Sequence, residues 1–201
     1  MLEIEGFILA GGASSRMGTG KAFLELGGRI FVRRIHAALA HVATDARLVG
    51  CGQELAAAAA LTVVPDLHVK WGALGGLHAA LQACRAEWAA VVACDLPFVT
   101  GELFVRLASL RENFDAVVPV QPDGRWQPLC ALYRTKVCSA RVEELIAAGE
   151  RRPRALLEQV KTRRVAFEEL SDLKGARNFF INVNTPEDYA DAVEIEGREK
   201  G

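Results

Sequence analysis

Apolar residues along this chain come in two rhythms. A first strand is expected at about Ile4 to Leu9, and the unbroken run Trp88 to Cys94 has the form of a central strand buried on both faces of a parallel sheet. Between them Phe31, Ile35, Ala38, Leu39 and Val42 recur at helical spacing, in an amphipathic segment that opens near Ile30. The helical rhythm returns at Leu74, Leu77, Leu81 and Cys84, at Leu103, Leu107 and Leu110, and at Cys138, Val142, Leu145 and Ile146. Strands are also expected at Arg47 to Cys51, Leu61 to Val64, Ala116 to Val120, Leu129 to Tyr133, Arg163 to Phe167 and Phe179 to Val183. A short alanine-rich helix is expected at Gln53 to Ala60. The punctuation agrees. Gln121-Pro-Asp-Gly124 is a turn signal, so the strands on either side of it can pair locally in antiparallel fashion. Gly149 stops a helix, and Thr100 and Thr185 are N-cap candidates, the second followed by Pro186 and the acid Asp188. The tail from Glu196 to Gly201 is expected to fray. Strands alternating with helices give an α/β fold with a mainly parallel sheet.

Composition narrows the class. A chain of 201 residues, 51% of them apolar, reads as one domain (1–201) with a sizeable core. A net charge of −1 supplies no field for holding long nucleic acid. No stretch approaches a membrane span, and the acidic Met1-Leu-Glu-Ile-Glu start does not read as a targeting signal. The five cysteines form no CxxC pair and have no metal spacing, which fits a reducing cytoplasm.

The chemistry gathers where apolar runs end. Phe7-Ile-Leu-Ala-Gly-Gly-Ala-Ser-Ser-Arg-Met-Gly-Thr-Gly-Lys21 passes from a strand into a glycine-rich loop carrying Arg16 and Lys21. Backbone amides and two cations suit a polyphosphate, because glycine lets the chain approach it closely. The stretch is not a Walker loop: Ser15 stands where its first glycine belongs and Ala22 follows Lys21. Nor is it the dinucleotide fingerprint, since Phe23 replaces the third glycine. A plain strand-to-helix turn with solvated charges is the structural alternative. Asp66 and Asp95 each follow a predicted strand, at the sheet edge where α/β proteins bind ligands. Carboxylates beside a phosphate loop point to Mg2+; as turn formers or caps they would need no metal. Arg16 and Lys21 would stabilise charge moving onto a leaving pyrophosphate. The four histidines show no metal spacing; His36, His41 and His78 read as helix-surface residues, and His68 as a residue of the loop after Asp66, either bland or touching ligand. Asn182 and Asn184 read either as strand-exit residues or as ligand hydrogen-bonders. Arg151, Arg152 and Arg154 read as a solvated junction or as a grip on phosphate. Trp71 and Trp126 lie in predicted loops, where they cap the core or stack on a flat ring.

Together these residues resemble the nucleotidyltransferase family that includes molybdenum cofactor guanylyltransferase. The signature L-A-G-G-x-S-x-R-M-G-x-x-K is met from Leu9 to Lys21, and a D-x-x-x-x-x-G-x-x-G-G segment from Asp66 to Gly76. C-D-x-P is met by Cys94 to Pro97 and N-V-N-T-P by Asn182 to Pro186. The resemblance implies a Rossmann-like three-layer fold and Mg2+-dependent transfer of GMP from GTP to the phosphate of molybdopterin, with release of pyrophosphate. It implies that Leu9, Ala10, Gly11, Gly12, Arg16, Lys21 and Asp66 bind nucleotide and that Asp95 holds the metal. Arg16, Lys21 and Asp95 would be catalytic, with Asn182, Asn184 and Arg152 on the pterin side. Leu-Ala-Gly-Gly goes with GTP in this group and Leu-Ala-Ala-Gly with CTP, so Gly12 favours guanine. Other cofactor-biosynthesis proteins and acceptor apoenzymes are the further partners implied. Two departures stand out: no Asn in Gly50-Cys-Gly52, and Gln127-Pro128 where relatives often have His-Pro. The rival readings are a cytidylyl- or sugar-phosphate nucleotidyltransferase and a non-catalytic cofactor carrier.

Overall fold

The computed structural model describes residues 3–11, 23–68 and 71–200. The first expected strand is β1 (Ile4–Leu9), and the unbroken apolar run is β6 (Trp88–Ala93). They lie side by side and parallel, with Ile4 opposite Trp88 and Leu9 opposite Ala93. On the other side of β1 lie β4 (Ala46–Val49) and then β5 (Val63–Val64), both parallel to it. Beyond β6 come β8 (Cys130–Arg134), β7 (Ala116–Pro119) and the edge strand β9 (Thr162–Val165). The expected pair across the Gln121–Gly124 turn is present, but β8 is inserted between β6 and β7 and runs antiparallel to both. The antiparallel strand is therefore interior to a seven-stranded sheet.

Helices cover both faces, which is why β6 is apolar without alternation and why the one charged residue of β1, Glu5, is paired with Arg47. Helices α1 (Phe31–Leu39), α2 (Gln53–Ala59) and α4 (Gly101–Ser109) pack on one face against Ile4, Ile8, Trp88 and Val92. On the opposite face α3 (Ala73–Ala83), α5 (Thr135–Ala147) and α6 (Pro153–Gln159) pack against Phe7, Leu9, Ala89 and Val91. Thr100 caps α4 by accepting from the Leu103 N–H at 3.4 Å. Thr185 and Asp188 cap α7 (Pro186–Lys200) reciprocally, at 3.1 and 2.8 Å.

Three features differ from expectation. Phe179 to Val183 is not a strand. Gly175, at φ +76°, opens a short 3-10 turn (Ala176–Asn178), and the Ile181 N–H bonds back to Asn178 at 3.1 Å, so the backbone is satisfied locally. Phe179 and Phe180 both enter the same core cluster instead of alternating. The tail does not fray at Glu196: α7 continues to Lys200, and Glu196 is buried against Arg34. His78 is not on the helix surface but only 5% exposed, beneath His68. Gly27 and Gly28, both at positive φ, close a two-residue hairpin between β2 (Glu25–Leu26) and β3 (Arg29–Ile30). Leu26, Phe31, Phe98, Val183 and Ala192 form a third apolar cluster where α7 meets this hairpin.

Candidate active site

The chain order across the sheet fixes where a ligand belongs. From β1 the next strands step one way to β4 and β5, and β6 then returns to the other side of β1. The connections thus diverge between the carboxyl ends of β1 and β6, and this switch point is where open α/β sheets leave a crevice. Leu9, Ala10 and Gly11 leave β1 there, and Asp95 leaves β6 there. The Leu9 carbonyl accepts from the Cys94 N–H at 3.0 Å, holding the two exits together. On the other flank the Ala10 N–H donates to Val49 at 3.0 Å and the Gly50 N–H to Val64 at 3.1 Å.

Glycines set the close approaches along this edge. A Cβ on Gly11 would stand 2.7 Å from the Gly50 carbonyl. A Cβ on Gly50, which has φ +71°, would stand 2.8 Å from both carboxylate oxygens of Asp66. Gly11, Gly50 and Asp66 therefore interlock, and the missing Asn has a steric reason at position 50: any side chain there displaces Asp66. The Cys51 thiol next to it is pushed up by burial, with the Asp66 charge adding to the effect. Asp66 is exposed and Asp95 half-buried. Gly12, Arg16 and Lys21 lie outside the described residues.

The third strand exit is that of β6 against β8. The Ala93 N–H donates to Leu129 at 2.8 Å, and this brings Gln127-Pro128 to the same edge. Asn182 and Asn184 arrive from the far end of the sequence. Both are exposed, and between them the Val183 N–H donates to the Asp95 carbonyl at 3.0 Å. The arginine cluster is tied in through Trp71, whose indole N–H donates to the Glu150 carbonyl at 3.1 Å with Arg151 stacked 4.7 Å above its ring. Arg152 is bidentate to the Glu150 carboxylate at 3.0 and 2.8 Å. These bonds, with the Arg152 and Arg151 backbone N–H groups, hold the Glu150 carboxyl down at about 2. Trp126 lies under Arg154 and Arg164, at 4.6 and 5.5 Å. Both tryptophans are stacked on by this chain's own arginines. Glu150 went unnoticed in the sequence, and Gly50 was noted only for the Asn missing from Gly50-Cys-Gly52, not for its contact with Asp66.

Among the described residues no three His, Cys, Asp or Glu side chains converge as a metal cage. The donor set fits Mg2+, which takes one or two carboxylates and completes its shell with phosphate oxygens and water.

A doubly wound sheet whose switch point gathers a glycine-rich strand exit and two carboxylates is the architecture of a nucleotide-handling protein. Comparison with known proteins makes this specific. The chain belongs to the family described as MobA-like NTP transferase domain, whose model matches residues 6–165. It is 38% identical over 192 residues to a Pelotomaculum thermopropionicum protein named "Probable molybdenum cofactor guanylyltransferase", covering 96% of this chain and 93% of that one. The crystal structure of molybdopterin-guanine dinucleotide biosynthesis protein A from Archaeoglobus fulgidus superposes with a TM-score of 0.81 at 26% identity, covering 96% and 99% of the two chains. The 4-diphosphocytidyl-2C-methyl-D-erythritol synthase of Anaerococcus prevotii shares the fold at a TM-score of 0.71 and 16% identity, covering 98% and 97%.

Proposed function

We propose that this chain transfers GMP from GTP to the terminal phosphate of molybdopterin, with release of pyrophosphate, to form a guanine dinucleotide cofactor. The observation that carries the reading is the meeting of Leu9, Asp95 and the Asn182–Asn184 segment at the switch point, through the Cys94 and Val183 N–H bonds. It supports a nucleotide on the Leu9–Gly11 and Asp66 side and an acceptor on the Asn182 and Asn184 side; Arg152, paired with Glu150 beside Trp71, is not joined to that segment by these bonds. The identity to named guanylyltransferases supports guanine over cytosine, and Gly12 of the L-A-G-G signature is the residue to which that choice is assigned.

Asp95 is the residue that would hold Mg2+, with Asp66 near the nucleotide across Gly50. Bound there, Mg2+ would neutralise charge on the triphosphate. The chain's own part is positioning and electrostatics, since attack by a phosphate oxygen on the α-phosphorus needs no protein nucleophile. The loop amides with Arg16 and Lys21 would stabilise the departing pyrophosphate. Gln127 would supply a hydrogen bond where relatives carry His. The residues are read as one nucleotidyltransferase domain, since Glu196, beyond the family match, pairs with Arg34 within it. The five free cysteines support a cytoplasmic setting, and no helix among the described residues is long and apolar enough to cross a membrane.

The test is pyrophosphate release with GTP, CTP or ATP, with and without molybdopterin, for the wild type and Asp95→Asn. GTP-selective release that requires the pterin and is lost in Asp95→Asn is expected. Release with CTP would overturn the base assignment. Tight binding of GTP and pterin without release would replace transfer by carriage.

A further inference from the structure

Arg34, on α1, makes four hydrogen bonds behind the turn that carries Asp95. Its Nε donates to the Pro97 carbonyl at 3.2 Å, two residues beyond Asp95. Its Nη1 donates to the Leu26 carbonyl at 3.2 Å, at the end of β2. Nη1 and Nη2 together hold the Glu196 carboxylate at 3.0 and 2.8 Å. One planar group thus ties α1, the β2–β3 hairpin, the Asp95–Pro97 turn and α7.

Helix α7 grips the same two places by other means. The Tyr189 hydroxyl donates to the Glu25 carbonyl of the hairpin at 2.8 Å, and the segment leading into α7 bonds the Asp95 carbonyl through Val183. Phe98, just past the turn, packs with Leu26, Phe31, Val183 and Ala192. The Asp95–Pro97 turn has no strand ladder of its own. Its carbonyls at 95 and 97 are held from α7's lead-in and from Arg34, so neither can shift without breaking a bond. A bidentate arginine–carboxylate pair fixes orientation as well as distance. The pair is part-buried, so desolvation offsets some of the attraction and geometry is its main contribution.

We infer that Arg34 and Glu196 are positioning residues for the reaction. Through them α7, all of which lies beyond the residues matched by the family model, sets the Asp95 turn and the hairpin in register for a metal-bound nucleotide. The inference rests on the reading of Asp95 as the residue that holds Mg2+.

The test uses the full chain and follows Mn2+ binding in the presence of GTP by electron paramagnetic resonance, beside steady-state kinetics and thermal unfolding. Arg34→Lys keeps the charge, but a point charge cannot serve four acceptors in one plane. It is expected to weaken Mn2+ retention and lower kcat about 10- to 100-fold, as loss of a ligand's orienting partner does, while KM for GTP stays within about twofold. Reversing the pair, Arg34→Glu with Glu196→Arg, is expected to recover Tm relative to Arg34→Glu alone but not kcat, because the Pro97 and Leu26 carbonyls still lack their donor. Glu196→Gln, which keeps shape, carries the same readout in milder form if the reversed pair does not fold. A fall in Tm with unchanged Mn2+ retention and kcat, or full kcat in the reversed pair, would reduce Arg34 to a structural fastener. Asp95→Asn in the same titration separates the two claims. If it leaves Mn2+ retention unchanged, the reading of Asp95 fails and the inference falls with it. If it weakens retention while Arg34→Lys does not, the inference alone fails.

Discussion

Replacing Gly50 by alanine isolates the interlock between the strand ends. Two costs are readable. Gly50 has φ +71°, in the left-handed region. That region costs an L-residue about 1–2 kcal/mol, of which about 0.4–1 kcal/mol returns through the narrower unfolded ensemble. The second cost is the new Cβ, 2.8 Å from both Asp66 carboxylate oxygens; an ordinary contact begins at 3.4 Å, so Asp66 must retreat by about 0.6 Å. Gly124→Ala is the control. Its φ is +83°, but its added Cβ meets nothing within 4 Å. The control is expected to lose about 1 kcal/mol, a Tm fall of about 2–4 °C at this chain length, with unchanged kinetics. Gly50→Ala is expected to lose at least as much stability. It should also lower kcat/KM for GTP about tenfold, since displacement of about 1 Å can cost about a hundredfold. Thermal unfolding and initial rates, run side by side, give both numbers. Equal behaviour of the two variants in both assays would refute the interlock.

Two pH dependences follow from the burial and pairing of Glu150 and His78. Glu150, held at about 2 by Arg152 and the adjacent amides, has a folded value below its ordinary 4.5. Its contribution is full above that ordinary value and is lost as pH falls from there through about 2; NMR titration of the carboxyl, repeated in Arg152→Gln, checks it. His78 is lowered from its ordinary 6.5 first by burial and then by stacked His68, with Glu143 opposing. Gln82 offers its amide nitrogen to His78 Nε2 at 3.3 Å, so His78 Nε2 accepts and its Nδ1 carries the proton toward His68 Nε2 at 3.2 Å. Neutral His78 therefore stabilises the fold fully above 6.5, and that contribution is lost as pH falls below it. Tm measured from pH 7.5 to 5 should fall less steeply in His78→Gln than in the wild type.

How much of this was legible in the sequence depends on how local each signal was. β6 showed itself because burial on both faces leaves an unbroken apolar run, and β1 because Phe7 to Ala10 runs apolar into paired glycines; their ends marked Leu9 to Gly11 and Asp95. Thr100 and Thr185 announced their helices because capping acts within one turn. Phe179 to Val183 misled because an apolar run is equally served by a loop that plugs the core, and its partner, the Asp95 carbonyl, lies far back in the chain. Glu196 sits in a strongly polar tail, and nothing near it in sequence reveals Arg34, 162 residues away. α6 escaped notice because seven residues give too few turns to show a period, although Pro153 at its first position was a usable cue.

The proposed reaction splits GTP at the α-phosphorus and passes its GMP moiety to the pterin phosphate. The measurement that tests it most directly is incubation of the full chain with Mg2+, molybdopterin and GTP labelled at the α-phosphate, followed by chromatography and mass spectrometry. Label in a pterin dinucleotide, with unlabelled pyrophosphate released in equal amount, is the predicted result. Label remaining in GTP, or appearing only in free GMP when pterin is present, would contradict it.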